Sequence, residues 1–443
     1  MRVGVSIAVL AILGSPWRPL AATLRVPSEY ATINAGIDAA SPGDTVLVAP
    51  GTYSDFETRT LIGPASACAF LKPGVVLKSE GGSASTTLDR QGVETSATDY
   101  TVVGWFADGA VVEGFRITGN PPEVAAVRVQ GLPQSSPWVT FRDCSFEDLT
   151  SNTSGALAAV IASVSLYDCR FTNCHGAAKG VVSQSEAHMI VEDCHFENCS
   201  PTALRCEGND SVAETLVVRN SVFRNNSSDG SGGAIAVNNY NGSVLIEKCL
   251  FESNEAYVTG GALEIYATGA FTLRDNVFVN NRVEGYQFAR GGGVHLVSGG
   301  GALAVIERNT FIGCHQGYPD GGSAIRNRNG GVLRNNVFAN STGAPAVSLT
   351  GSGYIDEGCN LFWNNLAGDA VGFTPDSMDV FADPQFCNAA AGDFTVSSSS
   401  PCAPGNTPYC DQIGALGVGC GLVSIEPMSW GKLKARFRGT AKE

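Results

Sequence analysis

Apolar residues recur along this chain in short runs that alternate with polar ones, and the runs repeat. Phenylalanine marks the repeat in "RDCSF", "YDCRF", "VEDCHF", "VRNSVF", "EKCLF", "RDNVF", "ERNTF", "LRNNVF" and "GCNLF", which end at Phe146, Phe171, Phe196, Phe223, Phe251, Phe278, Phe311, Phe338 and Phe362. Successive spacings are 25, 25, 27, 28, 27, 33, 27 and 24 residues. A period in the twenties built from β-type runs predicts a solenoid. "VVEGF", ending at Phe115, reads as an earlier and less regular member.

Alignment on each phenylalanine sorts the positions by the side they face. Five residues earlier stand Phe141, Leu166, Val191, Val218, Ile246, Leu273, Ile306 and Leu333, an apolar column that must face inward. Two residues earlier stand Cys144, Cys169, Cys194, Ser221, Cys249, Asn276, Asn309, Asn336 and Asn360; three residues later, Cys174, Cys199, Asn226, Asn254, Asn281, Cys314, Ser341 and Asn365 follow an initial Leu149. Small polar side chains and thiols exchange in both columns, as stacked turn interiors allow. Asparagine replacing cysteine in the same column speaks against zinc at "CRFTNC" and "CHFENC", so no metal is expected. Four residues before the phenylalanine, Glu192, Arg219, Glu247, Arg274, Glu307 and Arg334 alternate in sign. Stacked strands about 4.8 Å apart would put each charge between opposite ones and disfavour a register slip.

A second run precedes each of these, introduced by glycine: "GGAIAV", "GGALEI", "GGGVHL", "GGSAIR" and, more loosely, "GAPAVSL". Such coils have room for about three strands of 4–6 residues. The expected fold is therefore all-β: a right-handed parallel β-helix with three strands per coil.

Composition narrows the setting. The 443 residues carry a formal charge of −14, which argues against nucleic-acid partners and anionic membranes. The opening "MRVGVSIAVLAILGSPWRPLAA" has the pattern of a secretory signal over 1–22, its apolar run too short for a membrane span. No later run is long and apolar enough to cross a bilayer. The expected place is secreted or at the cell surface.

Three stretches carry a resemblance. "VPSEYATINAGIDAASPGDTVLVAPGTY", Val26 to Tyr53, resembles the opening of secreted right-handed parallel β-helix proteins of the pectin-lyase-like fold, where an amphipathic helix caps the first coil. "FRNN…GGAI" and "FESN…GGAL" resemble the repeats of polymorphic outer-membrane proteins. "ADPQFC…GDFTVSSSSPCAPG…IGALGVGC", Ala382 to Cys420, is similar to the closing coils of bacterial β-helix repeat proteins. The resemblance implies a β-helix over 23–380 with a helical N-terminal cap, a closing coil and Cys-rich cap over 381–420, and a separate basic tail, 421–443. It does not extend to the fold's catalytic patterns. Neither the Asn-Thr-Asp and Gly-His-Gly of polygalacturonases nor the Asp-His pair and calcium-binding aspartates of pectate lyases occur, and "RNRNGG", Arg326 to Gly331, matches no signature.

Cys387, Cys402, Cys410 and Cys420 stand outside the repeat and are disulfide candidates; four cysteines allow three pairings, of which local Cys387–Cys402 and Cys410–Cys420 are the simplest.

Candidate chemistry lies on the glycine-introduced strand. Its outward column reads Arg205, Ala236, Glu264, His295, Arg326 and Ser348; two residues on lie Glu207, Asn238, Tyr266, Val297, Arg328 and Thr350. Glu264, His295 and Arg326 put acid, imidazole and guanidinium on adjacent rungs, a set suited to proton transfer and to neutralising a sugar carboxylate. Asn238, Tyr266 and Arg328 flank them, and the loops entering these strands add Tyr257, Tyr286 and Tyr318, aromatic rings suited to stacking on sugars. A glycosidase needs two suitably spaced carboxylates, and Glu264 has only Glu284 or Asp320, in loops, as seconds. Two functions follow: an adhesin-like, monomeric protein binding carbohydrate or another surface ligand without a cofactor, which the missing catalytic patterns favour, or a polysaccharide lyase or hydrolase acting on acidic glycans in a groove.

Overall fold

The computed structural model describes residues 20–60, 62–90, 99–119, 124–133, 135–151, 155–176, 179–208, 214–285, 289–298, 304–319, 321–328, 330–351 and 355–420. The expected leader lies almost wholly outside these residues; the basic tail and Tyr286 lie wholly outside them.

Sharp corners between short strands make each coil. The residue three before each repeat phenylalanine has positive φ, at Asp143, Asp168, Asp193, Asn220, Lys248, Asp275, Arg308, Asn335 and Cys359. A second such corner follows two residues after the phenylalanine, at Asp148, Asn173, Asn198, Asn225, Ser253, Asn280, Gly313, Asn340 and Asn364. Left-handed backbone favours asparagine and aspartate, whose short side chains bond locally, which explains the composition of both corners. Between them four residues remain, three of which form a strand, as in Leu250–Glu252, with the phenylalanine inward.

Stacking the coils gives three long parallel sheets. A charge-ladder sheet of thirteen strands begins at Thr23–Val26, a phenylalanine sheet of thirteen begins at Gly51–Tyr53, and a twelve-stranded sheet built from the glycine-introduced strands begins at Ala69–Phe70. The fold is an all-β, right-handed parallel β-helix. Near its start, α1 (Ile33–Ala39) is capped by Thr32, which accepts from Ala35 N at 3.1 Å, and it buries Ile33 and Ile37. Its Asn34 donates to Ala67 O at 3.1 Å and accepts from Phe70 N at 2.9 Å, satisfying the open edge of the third sheet.

The interior repeats coil by coil. From Phe146 to Phe362 the rings stack, with neighbouring centroids from 4.4 Å (Phe146–Phe171) to 5.3 Å (Phe338–Phe362). Beside them runs an amide ladder. Asn309 donates to Leu273 O and Asn336 Oδ1 at 2.9 and 3.0 Å, and to Glu307 O at 3.1 Å; its own Oδ1 accepts from Asn276. Cys194 points its thiol at the matching pair of carbonyls, Leu166 O and Glu192 O, at 3.4 and 3.3 Å. Cysteine and asparagine thus exchange because each can donate to the carbonyl two residues back and to one on the preceding coil. The ladder ends on a carboxylate, where Asp379 Oδ1 accepts from Asn360 N at 2.7 Å.

The closing segment departs from expectation. It does not plug the end of the solenoid, where Phe381 stays 59% exposed. It runs back along the outer face of the phenylalanine sheet. On earlier coils that face is polar (Arg170, His195, Glu197, Arg224); on later ones it turns apolar (Leu250, Val277, Val279, Val337, Ala339, Leu361). Phe394, Val396, Cys402, Ile413, Ala415 and Leu416 cover the apolar part. Gly414 N donates to Asn335 O at 2.6 Å and Ala415 N to Thr310 Oγ1 at 3.0 Å, so the strap climbs toward earlier coils.

The disulfides follow from this path. Cys410 bonds Cys359, tying the strap to a corner of the last coils, and Cys387 bonds Cys420 within the strap. The local pairs Cys387–Cys402 and Cys410–Cys420 do not form, and Cys402 is a buried free thiol.

Candidate functional site

Alternation along Leu263–Ala267 buries Leu263, Ile265 and Ala267 and turns Glu264 and Tyr266 outward. Gly260 and Gly261 set up this strand. Gly260 sits at φ +62°, and a Cβ on Gly261 would lie 2.1 Å from Gly292 O on the next coil. The register then places Glu264 beside His295, His295 beside Arg326, and Arg326 beside Ser348; in the other direction Glu264 pairs Ala236, and Ala236 pairs Arg205.

Glu264 and His295 are joined. His295 Nδ1 lies 2.8 Å from Glu264 Oε2, which also accepts from the Thr259 hydroxyl at 2.7 Å. An ionised carboxylate can only accept, so this bond places a proton on Nδ1 and leaves Nε2 as the nitrogen turned away from Glu264. Nε2 is buried without a hydrogen-bond partner among the described residues. The side chains of His295 and Glu264 are only 7% and 12% exposed, and Arg326 as a residue 7%. These rungs face away from the solenoid core, yet solvent barely reaches them.

The open space lies two coils earlier. A cleft of about 560 Å³ is lined by Arg205, Glu207, Gly208, Asn238, Glu264 and Tyr266. Arg205 Nε donates to Glu207 Oε1 at 2.9 Å across one wall. The register with the next coil shifts between Val237 and Tyr240, next to Asn238. Tyr266 is 42% exposed.

Of the residues singled out by sequence, the cleft gathers Asn238, Glu264 and Tyr266, with His295 and Arg326 on the rungs beyond its edge. Tyr257 is exposed outside the cleft lining, Tyr318 packs against Ala256, Val283 and Ala289, and Arg328 is exposed two residues past Arg326. Sequence reasoning left Arg205, Glu207 and Thr259 out of the site. The first two stand in the same outward columns two coils back, so only the choice of rungs hid them. Elsewhere, Glu357, Asp376 and Asp379 bring carboxylate oxygens within 4.8 Å of one another, and backbone and asparagine N–H groups already bond the two aspartates.

Residues 95–311 match the family described as "Right handed beta helix region". No curated protein matches the chain. Among solved structures, a mutant of the PL6 family alginate lyase AlyGC is 16% identical, with a TM-score of 0.37, over 91% of this chain and 59% of that one, so the chain spans little more than half of that lyase. Pectate lyase Pel9A is 13% identical (TM-score 0.39) over 90% of this chain and 96% of that one. The A-module of the Azotobacter vinelandii mannuronan C-5 epimerase AlgE6 is 14% identical (TM-score 0.39) over 80% and 95%.

Proposed function

We propose that this β-helix binds carbohydrate in the cleft on the outer face of its third sheet, in a secreted or cell-surface, adhesin-like role. The observation that carries this reading is the lining itself. Arg205, Glu207, Asn238 and Glu264 offer charged and amide groups for sugar hydroxyls, and the exposed ring of Tyr266 offers a stacking face. Two disulfides fit an oxidising compartment. Among the described residues no helix is long and apolar enough to cross a membrane.

The bond between Glu264 and His295 favours a second reading, a lyase or hydrolase acting on acidic glycans. A carboxylate holding Nδ1 orients an imidazole as a base through Nε2, and Arg326 on the next rung is a cation for a substrate carboxylate. The burial of His295 and Arg326 places binding first.

One experiment addresses both. Wild type, Tyr266→Ala and His295→Ala are titrated with neutral and acidic oligosaccharides, and products are followed by ultraviolet absorbance of unsaturated ends and by reducing ends. Binding without turnover, weakened about tenfold by Tyr266→Ala and little by His295→Ala, is the expected result. Turnover abolished by His295→Ala would establish the second reading, and absence of binding to any glycan would remove both.

A further inference from the structure

The third sheet carries another concavity on earlier coils. In register, Arg128 pairs Ala158, Ala158 pairs Ser183, and Ser183 pairs Arg205. Two small outward residues thus lie between two arginines, and the arginine rungs are about 14 Å apart at three strand spacings. The result is a notch of about 40 Å³ walled by Arg128 and Arg205, floored by Ala158 and Ser183, with Lys179 and Glu207 also lining it. That space holds roughly three waters, the size of one oxyanion head group.

Charge sets the notch apart. The chain as a whole is at −14, yet here three cations face one carboxylate. On several other rungs arginines meet acids: Arg219 and Arg274 meet Glu247, Arg224 meets Glu252, and Arg308 meets Asp275. Partly buried Arg128 does not. Its Nε and Nη2 donate to the neutral amide oxygen of Gln130 at 3.2 and 3.0 Å, and it has no carboxylate partner among the described residues. Burial lowers its pKa. Lys179, exposed at the rim, likewise makes no ion pair among the described residues. Glu207 is engaged by Arg205 through Nε, the side of the guanidinium nearest its own chain.

We infer that this notch is an oxyanion subsite, taking a carboxylate or sulfate ester of an acidic glycan between Arg128 and Arg205. An incoming oxyanion supplies the counter-charge that Arg128 lacks and forms charge-assisted bonds with two guanidiniums from opposite walls. Arg205 and Glu207 line both notch and cleft, so a chain seated in the cleft would continue into the notch. The inference therefore rests on the carbohydrate reading and adds a charge to the ligand.

The test titrates full-length protein with three probes: an oligogalacturonate hexasaccharide, a sulfated galactan hexasaccharide and neutral maltohexaose. Variants are Arg128→Gln, Arg205→Gln and, as a surface change that leaves packing intact, Lys179→Gln; thermal unfolding reports their folding. The expected result is that at least one acidic probe binds in preference to the neutral one, more weakly at higher salt, and loses about tenfold in affinity in each arginine variant and less in Lys179→Gln. Which acidic probe binds identifies carboxylate or sulfate as the group. Acidic binding unchanged in all folded variants overturns the inference while leaving the cleft reading intact, and so does equal binding of neutral and acidic probes. If neither acidic probe binds, the inference fails, and the neutral probe then decides the cleft reading separately.

Discussion

Glu357 occupies a position that an apolar residue fills on earlier coils. It pairs Leu333 in register, five residues before Phe362, and so continues the inward apolar column with a carboxyl group. Burial first, then the neighbouring Asp379, push its pKa up from 4.5 to about 8. The proton is bound more tightly in the native chain than in the unfolded one, so the contribution of Glu357 to stability is fully present below about pH 4.5 and is lost as pH rises toward about 8. Glu357→Gln is expected to remove this dependence, raising the melting temperature by a few degrees at pH above 8 and leaving it nearly unchanged at pH 4.5. Thermal unfolding of both proteins across that range checks it. The column itself was legible in sequence, since inward positions on a solenoid repeat. The carboxyl group stands on the last strand of the sheet, Ile355–Gly358, where Asp376 and Asp379 lie beside it in place of another rung.

Between strands, the alternating charge column can be weighed where it is best formed. Glu247, 11% exposed, meets Arg219 at 2.9 Å on one side and Arg274 Nη2 at 2.6 Å on the other. Glu247→Lys would stack three cations on adjacent rungs. Its expected cost is about 1–2 kcal/mol at low salt, shrinking as salt rises, with Glu247→Gln losing less. Denaturation at two ionic strengths reads both effects. This column needed only the period to be found. The corner residues were equally legible in composition, but their reason, positive φ at each bend, belongs to the folded backbone. The candidate trio was partly legible. Period-2 alternation and the repeat alone place Glu264, His295 and Arg326 on adjacent rungs. Their burial, and the bond to Thr259, which bridges Ser231 and Arg290 just before the glycine pair, come from the folded coils and not from the alternation alone.

For the molecule as a whole, the strap decides what is surface and what is core. Residues such as Val277, Val279 and Val337 face outward from the solenoid, yet the strap holds them 1–6% exposed. Opening Cys359–Cys410, which closes a 51-residue separation, by Cys359→Ser with Cys410→Ser removes about 4 kcal/mol of chain-entropy stabilisation. The expected outcome is proteolytic cleavage within 386–420 and increased binding of a hydrophobic dye, with the solenoid's circular dichroism retained. A solenoid that unfolds together with the strap would show instead that the coils depend on it. One signal in sequence pointed to this disulfide: Cys359 breaks a corner column otherwise held by polar and charged residues. The amino-acid sequence by itself determined the coil, its inward and outward columns and its stacking order, because each coil repeats contacts made only with its neighbours. The tertiary structure alone decided the path of the strap, the pairing of its cysteines, and which outward rungs stay open as a cleft and notch. Those features join segments far apart in the chain, and neither a period nor a spacing records which distant surface a non-repeating segment will cover.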